Sequence, residues 1–248
     1  MKDATALLSL MKYSVKKILF SKRIIIAGLI TIFIAGVMGY VSTQEVERLG
    51  TGTDLFDLLI LFFFLPVISM VYGSSVIRDE IEDKSITQLL ISPLDRTLGY
   101  FGYYTSLVIS LMVMISIMTT SSFLIYFGNL GMDSEALGIL FKILLLDAIG
   151  VLVYSSLFLM VSVITDKSIY FGLFYAFIWE GFIGSIPGSI RKFAIKHYVR
   201  SIGSEWLEYG SITTYDATGV GTSAQVIIII TVSLLILGAL LFRYKEFP

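Results

Sequence analysis

Between Thr97 and Met132 there is no Asp, Glu, Lys or Arg. A charge-free run of 36 residues exceeds the roughly 20 that a helix needs to cross the hydrocarbon core of a bilayer. No soluble core needs such a run, and the rest of the chain shares its character. Of the 248 residues, 56% are hydrophobic and the mean hydropathy is +0.87, whereas soluble domains are nearer 45–50% apolar. The fold class that follows is an all-α integral membrane protein.

Hydropathy divides the chain into six apolar segments: Ile24–Val41, Leu55–Val76, Gly99–Phe127, Leu137–Ile164, Ile169–Ile186 and Ala224–Phe242. Six crossings put both termini on one side. Twelve basic residues fall on that side, against six on the other: Arg48, Lys142, Arg191, Lys192, Lys196 and Arg200. Positive charge stays inside, so the termini are expected in the cytoplasm of a multi-pass protein of the cell membrane. The start, Met1 to Arg23, lacks the order of charge, apolar core and small-residue cleavage site of a signal peptide. It reads instead as an amphipathic helix in the interface: Leu7, Leu8, Met11, Val15, Ile18 and Leu19 share one arc, with Lys12 and Lys16 outside it. The expected organisation is one transmembrane domain over 1–248, with an interfacial helix (1–23), six spans (24–242) and a short cytoplasmic tail (243–248).

Two connections are long enough for structure of their own. The inner one, Ile77–Leu98, opens on Arg78, Asp79, Glu80, Glu82, Asp83 and Lys84. Ser85 followed by Gln88 has capping-box form. Ile86, Leu89 and Leu90 then make a narrow apolar stripe, and Pro93 disfavours helix at Ser92. A one-to-two-turn helix on the inner face follows, whose stripe must be covered by lipid, by the protein's own spans or by a partner. The outer connection, Pro187–Ser223, predicts an amphipathic helix capped by Ser189 and running to about Gly203. Lys192, Lys196 and Arg200 form its basic edge among phosphates, and Trp206 and Tyr209 suit headgroup level. Asp147 and Glu180 lie inside spans, where ionisable groups are costly and default to functional candidates. They either line a cavity or pair with Lys142, whereas Asp57 reads as interfacial.

Other classes are disfavoured. A net charge of −1 argues against a nucleic-acid partner, and the absence of cysteine removes thiol chemistry. His197, the one histidine, has no second ligand cluster, so no metal site is expected. No G-x-x-x-x-G-K-[ST] phosphate loop is present, and no stretch outside the apolar segments is long enough for a nucleotide domain. No catalytic residue is expected, and no cofactor in this chain.

The run Ser85-Ile86-Thr87-Gln88-Leu89-Leu90-Ile91-Ser92-Pro93-Leu94-Asp95-Arg96, preceded by Glu80, resembles the signature loop of ABC type-2 permeases, the membrane subunits of ATP-binding-cassette exporters. Lys84 stands where that family has Gly, and Ser85 stands for Thr. The basic amphipathic start, the six spans, Trp179-Glu180 in the fifth and the long outer segment before the sixth are similar to the same family. The resemblance implies that Glu80, Glu82, Asp83, Ser85, Ile86, Leu89, Leu90 and Arg96 form an ATPase-coupling element. It implies further that ATP and Mg are held by a separate ATPase subunit, and that a second permease copy or paralogue completes a dimer. Two other readings remain open at this point. One is an ATP-independent membrane scaffold or assembly factor, and the other a proton-coupled carrier using Asp147 and Glu180.

Overall fold

A computed structural model describes residues 2–83, 95–186 and 188–245. Among these residues every regular element is helical. Helix α1 (Lys2–Leu19) leads through a short turn into α2 (Ile24–Ser42), which is followed by α3 (Arg48–Glu82), α4 (Arg96–Leu130) and α5 (Ser134–Ile164). Residues 168–185 form α6, and α7 (Ile195–Trp206) and α8 (Val220–Tyr244) complete the order. Five of these, α2 to α5 and α8, are long and apolar enough to cross a membrane. Helix α6, which holds the fifth apolar segment, is a composite: α over Ser168–Leu173, π over Phe174–Phe182 and a 3-10 turn over Ile183–Ser185.

Local chemistry accounts for the boundaries. The Asp95 carboxylate accepts from the Thr97 N–H at 2.7 Å and caps α4. Asp133 accepts from Ala136 N–H at 2.9 Å and caps α5. Gly131, at φ +100°, ends α4 in a conformation that side chains disfavour. Within α3 the stretch Phe56–Phe64 is π-helical and ends just before Pro66. Pro66 has no N–H for the Phe62 carbonyl and its ring crowds it, so the regular ladder cannot run through.

Helix α3 lies centrally, with 56% of its most apolar window buried, while α2 and α8 bury 17% and 22% of theirs and turn the rest outward. Ile25, Leu29, Ile32 and Phe33 on α2 are exposed, as suits side chains whose solvent is lipid. Helices α3 and α5 pack along each other. At Gly73 a Cβ would sit 2.7 Å from the Phe158 Cβ, so the helices meet where no side chain separates them. Phe56, Phe123 and Phe127 pack with tilted rings at one end of the bundle, with ring centroids 5.9 and 4.5 Å apart in turn, and Tyr100, Tyr103 and Phe242 pack at the other.

Several expectations are corrected. The second apolar segment spans Leu55 to Val76, but α3 is helical from Arg48 to Glu82. The charged run 78–82 is therefore the last turn of a helix with Asp83 as its C-cap, not the start of a loop, and its charges find partners there. The outer helix starts at Ile195, not Ser189, which sits in a 3-10 turn over Ser189–Phe193 and makes no capping bond. Helix α1 does not lie on lipid alone: Leu7 and Leu10 reach over Gly102 of α4, whereas Leu8 is 66% exposed.

Candidate functional site

The ion pairs sort into two ends of the bundle. At the end holding the termini, Lys17 Nζ contacts Glu80 at 3.0 Å and Asp83 at 2.7 Å. Arg23 grips both oxygens of Asp79. Arg78 bridges Glu82, one turn on, and Asp166 beyond α5. The Arg96 guanidinium donates to the carbonyls of Arg243 and Lys245 at 3.3 and 3.4 Å. Glu80 is buried while Glu82 and Asp83 are exposed, so Glu80 is the carboxylate most dependent on its partner. These contacts clamp α1, α3, α5 and α8 around the points where the chain leaves α3 at Asp83 and returns at Asp95. Ser85, Ile86, Leu89 and Leu90 lie between those points, outside the described residues.

At the opposite end, α7 is held from two sides. Its first turn lacks a capping side chain, since Ala194 precedes it. Glu180, projecting from the π stretch of α6, takes that place: Oε1 accepts from the Ile195 N–H at 2.9 Å and Oε2 from the Lys196 N–H at 3.1 Å. Tyr175 donates to the same carboxylate at 2.7 Å. A carboxylate at a helix N-terminus satisfies orphan N–H groups and meets the positive end of the dipole. One turn further, Arg200 pairs with Asp57 of α3 at 2.8 Å and lies 4.7 Å from the Tyr215 ring centre.

The expected basic edge is therefore divided. Lys192 is exposed, next to exposed Ile190 and Phe193. Lys196 is buried, with its ammonium 3.6 Å over the Phe62 ring and 3.1 Å from the Ser185 hydroxyl. Burial pushes the Lys196 ammonium down to about 8 against the pull of Glu180. Asp57, expected at the interface, is buried. The sequence signal was available, because an acid in an apolar segment is a candidate wherever it stands. What was missing was its partner, Arg200, which lies 143 positions later (200 − 57).

Asp147 is buried in mid-bundle and accepts from Thr119 at 2.6 Å through Oδ2, while Oδ1 has no partner. Neither it nor Glu180 pairs with Lys142, which reaches Glu208 at 3.0 Å. His197 is buried between the hydroxyls of Tyr215 (2.7 Å) and Thr218 (2.8 Å). Burial, with Arg191 and Lys192 nearby, holds its imidazole below the usual range. Among the described residues no cluster of acids and histidine is arranged to hold a metal.

A multi-pass, all-helical membrane protein with charge-matched ends is the class defined by these observations. The family profile described as ABC-2 family transporter protein matches residues 10–188, well over half of the chain. The chain belongs to the ABC-2 transporter family. No curated protein matches it in sequence.

Proposed function

We propose that the chain is the permease subunit of an ATP-driven exporter, working as a dimer of permeases with ATP and Mg held by a separate ATPase subunit. Family membership supports the permease reading. The observation that carries the coupling is the clamp at Lys17, Glu80 and Asp83, from which residues 84–94 depart. Motion imposed on that segment reaches α3 through its last turn and α1 through Lys17. The short helix Ser85–Ser92 would then present Ile86, Leu89 and Leu90 to the ATPase, with Glu80, Glu82, Asp83 and Arg96 at its base.

In this reading α6 is the fifth of six spans and α8 the sixth. Ser168, at its start, donates to the Ser74 carbonyl at 2.8 Å near one end of the bundle, and Ser185, at its finish, adjoins Lys196 at the other. The distribution of basic residues supports cytoplasmic termini. Transport of protons through Asp147 and Glu180 is the weaker reading, because the Glu180 carboxylate is occupied by two backbone donors and a tyrosine.

The test is Leu89→Asp. A charge placed at an apolar interface anchor commonly costs 2 kcal/mol or more. Pull-down of the ATPase and lipid-stimulated ATP hydrolysis should both fall at least about tenfold, while the yield of detergent-stable permease stays at the wild-type level. Wild-type association and hydrolysis in this variant would remove the coupling role from the loop and leave the scaffold reading as the better one.

A further inference from the structure

Helix α6 is wound in a way that its own sequence does not require. Nine of its residues, Phe174–Phe182, are π-helical, and no proline lies between Ser168 and Ser185. In α3 the corresponding stretch runs into Pro66, which breaks the regular ladder for covalent reasons. The π-helix is rare and concentrates at functional sites. Without a proline, contacts from outside the helix must hold it.

The side chains show which contacts these are. Tyr175 donates to Glu180, five residues on, at 2.7 Å. At 100° per residue an α-helix would set these two roughly 140° apart around its axis, and the bond could not form. Bonding five residues apart brings them onto one side. In that register Glu180 accepts from the N–H groups of Ile195 and Lys196 at 2.9 and 3.1 Å, and the Trp179 indole donates to the Phe193 carbonyl at 3.0 Å. Lys196 returns the contact. Its ammonium lies 3.1 Å from the Ser185 hydroxyl, and its side chain passes where a Cβ on Gly184 would stand. The first turn of α7 has no side-chain cap of its own. The π register of α6 and the start of α7 therefore stabilise each other.

The other end of α6 is fastened to α3. Buried Ser168 donates to the Ser74 carbonyl at 2.8 Å, and Asp166, just before it, pairs with Arg78. A return from π to α winding puts fewer residues in each turn and lengthens the segment. With the Ser168 end held, the rotation and the added length are delivered to the far end, where Glu180 turns away from the α7 amides.

We propose that α6 is a two-state latch on α7. In the latched state its middle is π-helical and Glu180 caps α7. In the released state its middle is α-helical, the α6 axis is longer, and the first turn of α7 is free to open. The latch rests on these contacts and not on the exporter reading.

The test uses the full-length protein in lipid nanodiscs. The natural chain has no cysteine, so Ile169→Cys and Phe182→Cys, both exposed on α6, take spin labels uniquely. The distance between the labels reads the length of α6, and hydrogen exchange reads the amides of Ile195 and Lys196. The otherwise unchanged chain should show the shorter distance. Glu180→Ala should move the population to a longer distance and speed exchange at both amides by at least about fivefold, the scale of a lost helix cap. Tyr175→Phe leaves the cap acceptors in place and should shift both readouts in the same direction by less. Asp57→Asn loosens α7 from the α3 side and should leave the α6 distance unchanged. Faster exchange in Glu180→Ala with an unchanged α6 distance would make Glu180 a static cap and overturn the proposal. An equal lengthening in Asp57→Asn would mark general loosening of the bundle and overturn it too. If Glu180→Ala does not fold, Tyr175→Phe decides alone, and an unchanged distance there again overturns the latch.

Discussion

At the scale of single residues, the packing of α3, α6 and α7 depends on two buried carboxylates with different tasks. Glu180 serves backbone N–H groups, so its role is to start α7 where no local cap exists. Asp57 serves a cation, with side-chain exposures of 8% for Asp57 and 28% for Arg200. Removing one partner of a buried pair leaves the other charge uncompensated, at about 3–5 kcal/mol when burial is complete. The partial exposure of Arg200 lowers this, so Asp57→Asn should destabilise the protein by about 1–3 kcal/mol. Arg200→Gln should cost more, because it strands the more buried carboxylate. The double variant Asp57→Asn/Arg200→Gln should fall short of the sum by at least about 0.5 kcal/mol. Thermal unfolding in detergent reads all three, and simple additivity would show that the pair contributes nothing.

At the scale of elements, close approach separates glycines that the sequence treats alike. Gly73 sits where α3 meets α5, with Phe158 in the space that a Cβ would fill. Gly73→Ala should therefore destabilise the bundle by about 1–3 kcal/mol through overpacking, although alanine is the better helix former. Gly28 on α2 has nothing within 4 Å. Gly28→Ala should be neutral or stabilise by up to about 1 kcal/mol. A melting series of the two variants checks the contrast, and a loss at Gly28 equal to that at Gly73 would place a neighbour on the exposed face of α2. Of Gly28, Gly36 and Gly39 on α2, only Gly39 meets a close neighbour, Ile125, to which a Cβ would approach within 3.1 Å. The π stretches in α3 and α6 follow the same logic. Pro66 makes the first legible once the helix is known to continue through it, whereas the second has no proline.

At the scale of the whole molecule, the two charged ends must face opposite sides of a bilayer if the termini are cytoplasmic. Cysteines placed singly at Ser92 and Ser211 should then differ: an impermeant thiol reagent added to intact cells should label the Ser211 site and spare the Ser92 site. Because the natural chain has no cysteine, each signal is unambiguous. Labelling at Ser92 with protection at Ser211 would invert the topology.

The sequence alone determined that this chain is a helical membrane protein, roughly where its apolar helices lie, and to which family it is similar. Those features depend on runs of residues: a charge-free stretch long enough to cross a bilayer shows in the order of residues, and so does a loop motif. Tertiary structure decided the partners. Lys17 meets Glu80 across 63 positions, Arg23 meets Asp79 across 56, and Glu180 reaches past a 3-10 turn to the amides of α7. These pairings made the end of α3 a helix where charge had suggested a loop, and turned Lys196 and Arg200 inward where periodicity had placed them among phosphates. Helical periodicity specifies which residues share a face. Whether that face meets lipid, water or a carboxylate from another helix is decided by how the helices pack, because in a low-dielectric bundle a charge settles where its counter-charge is.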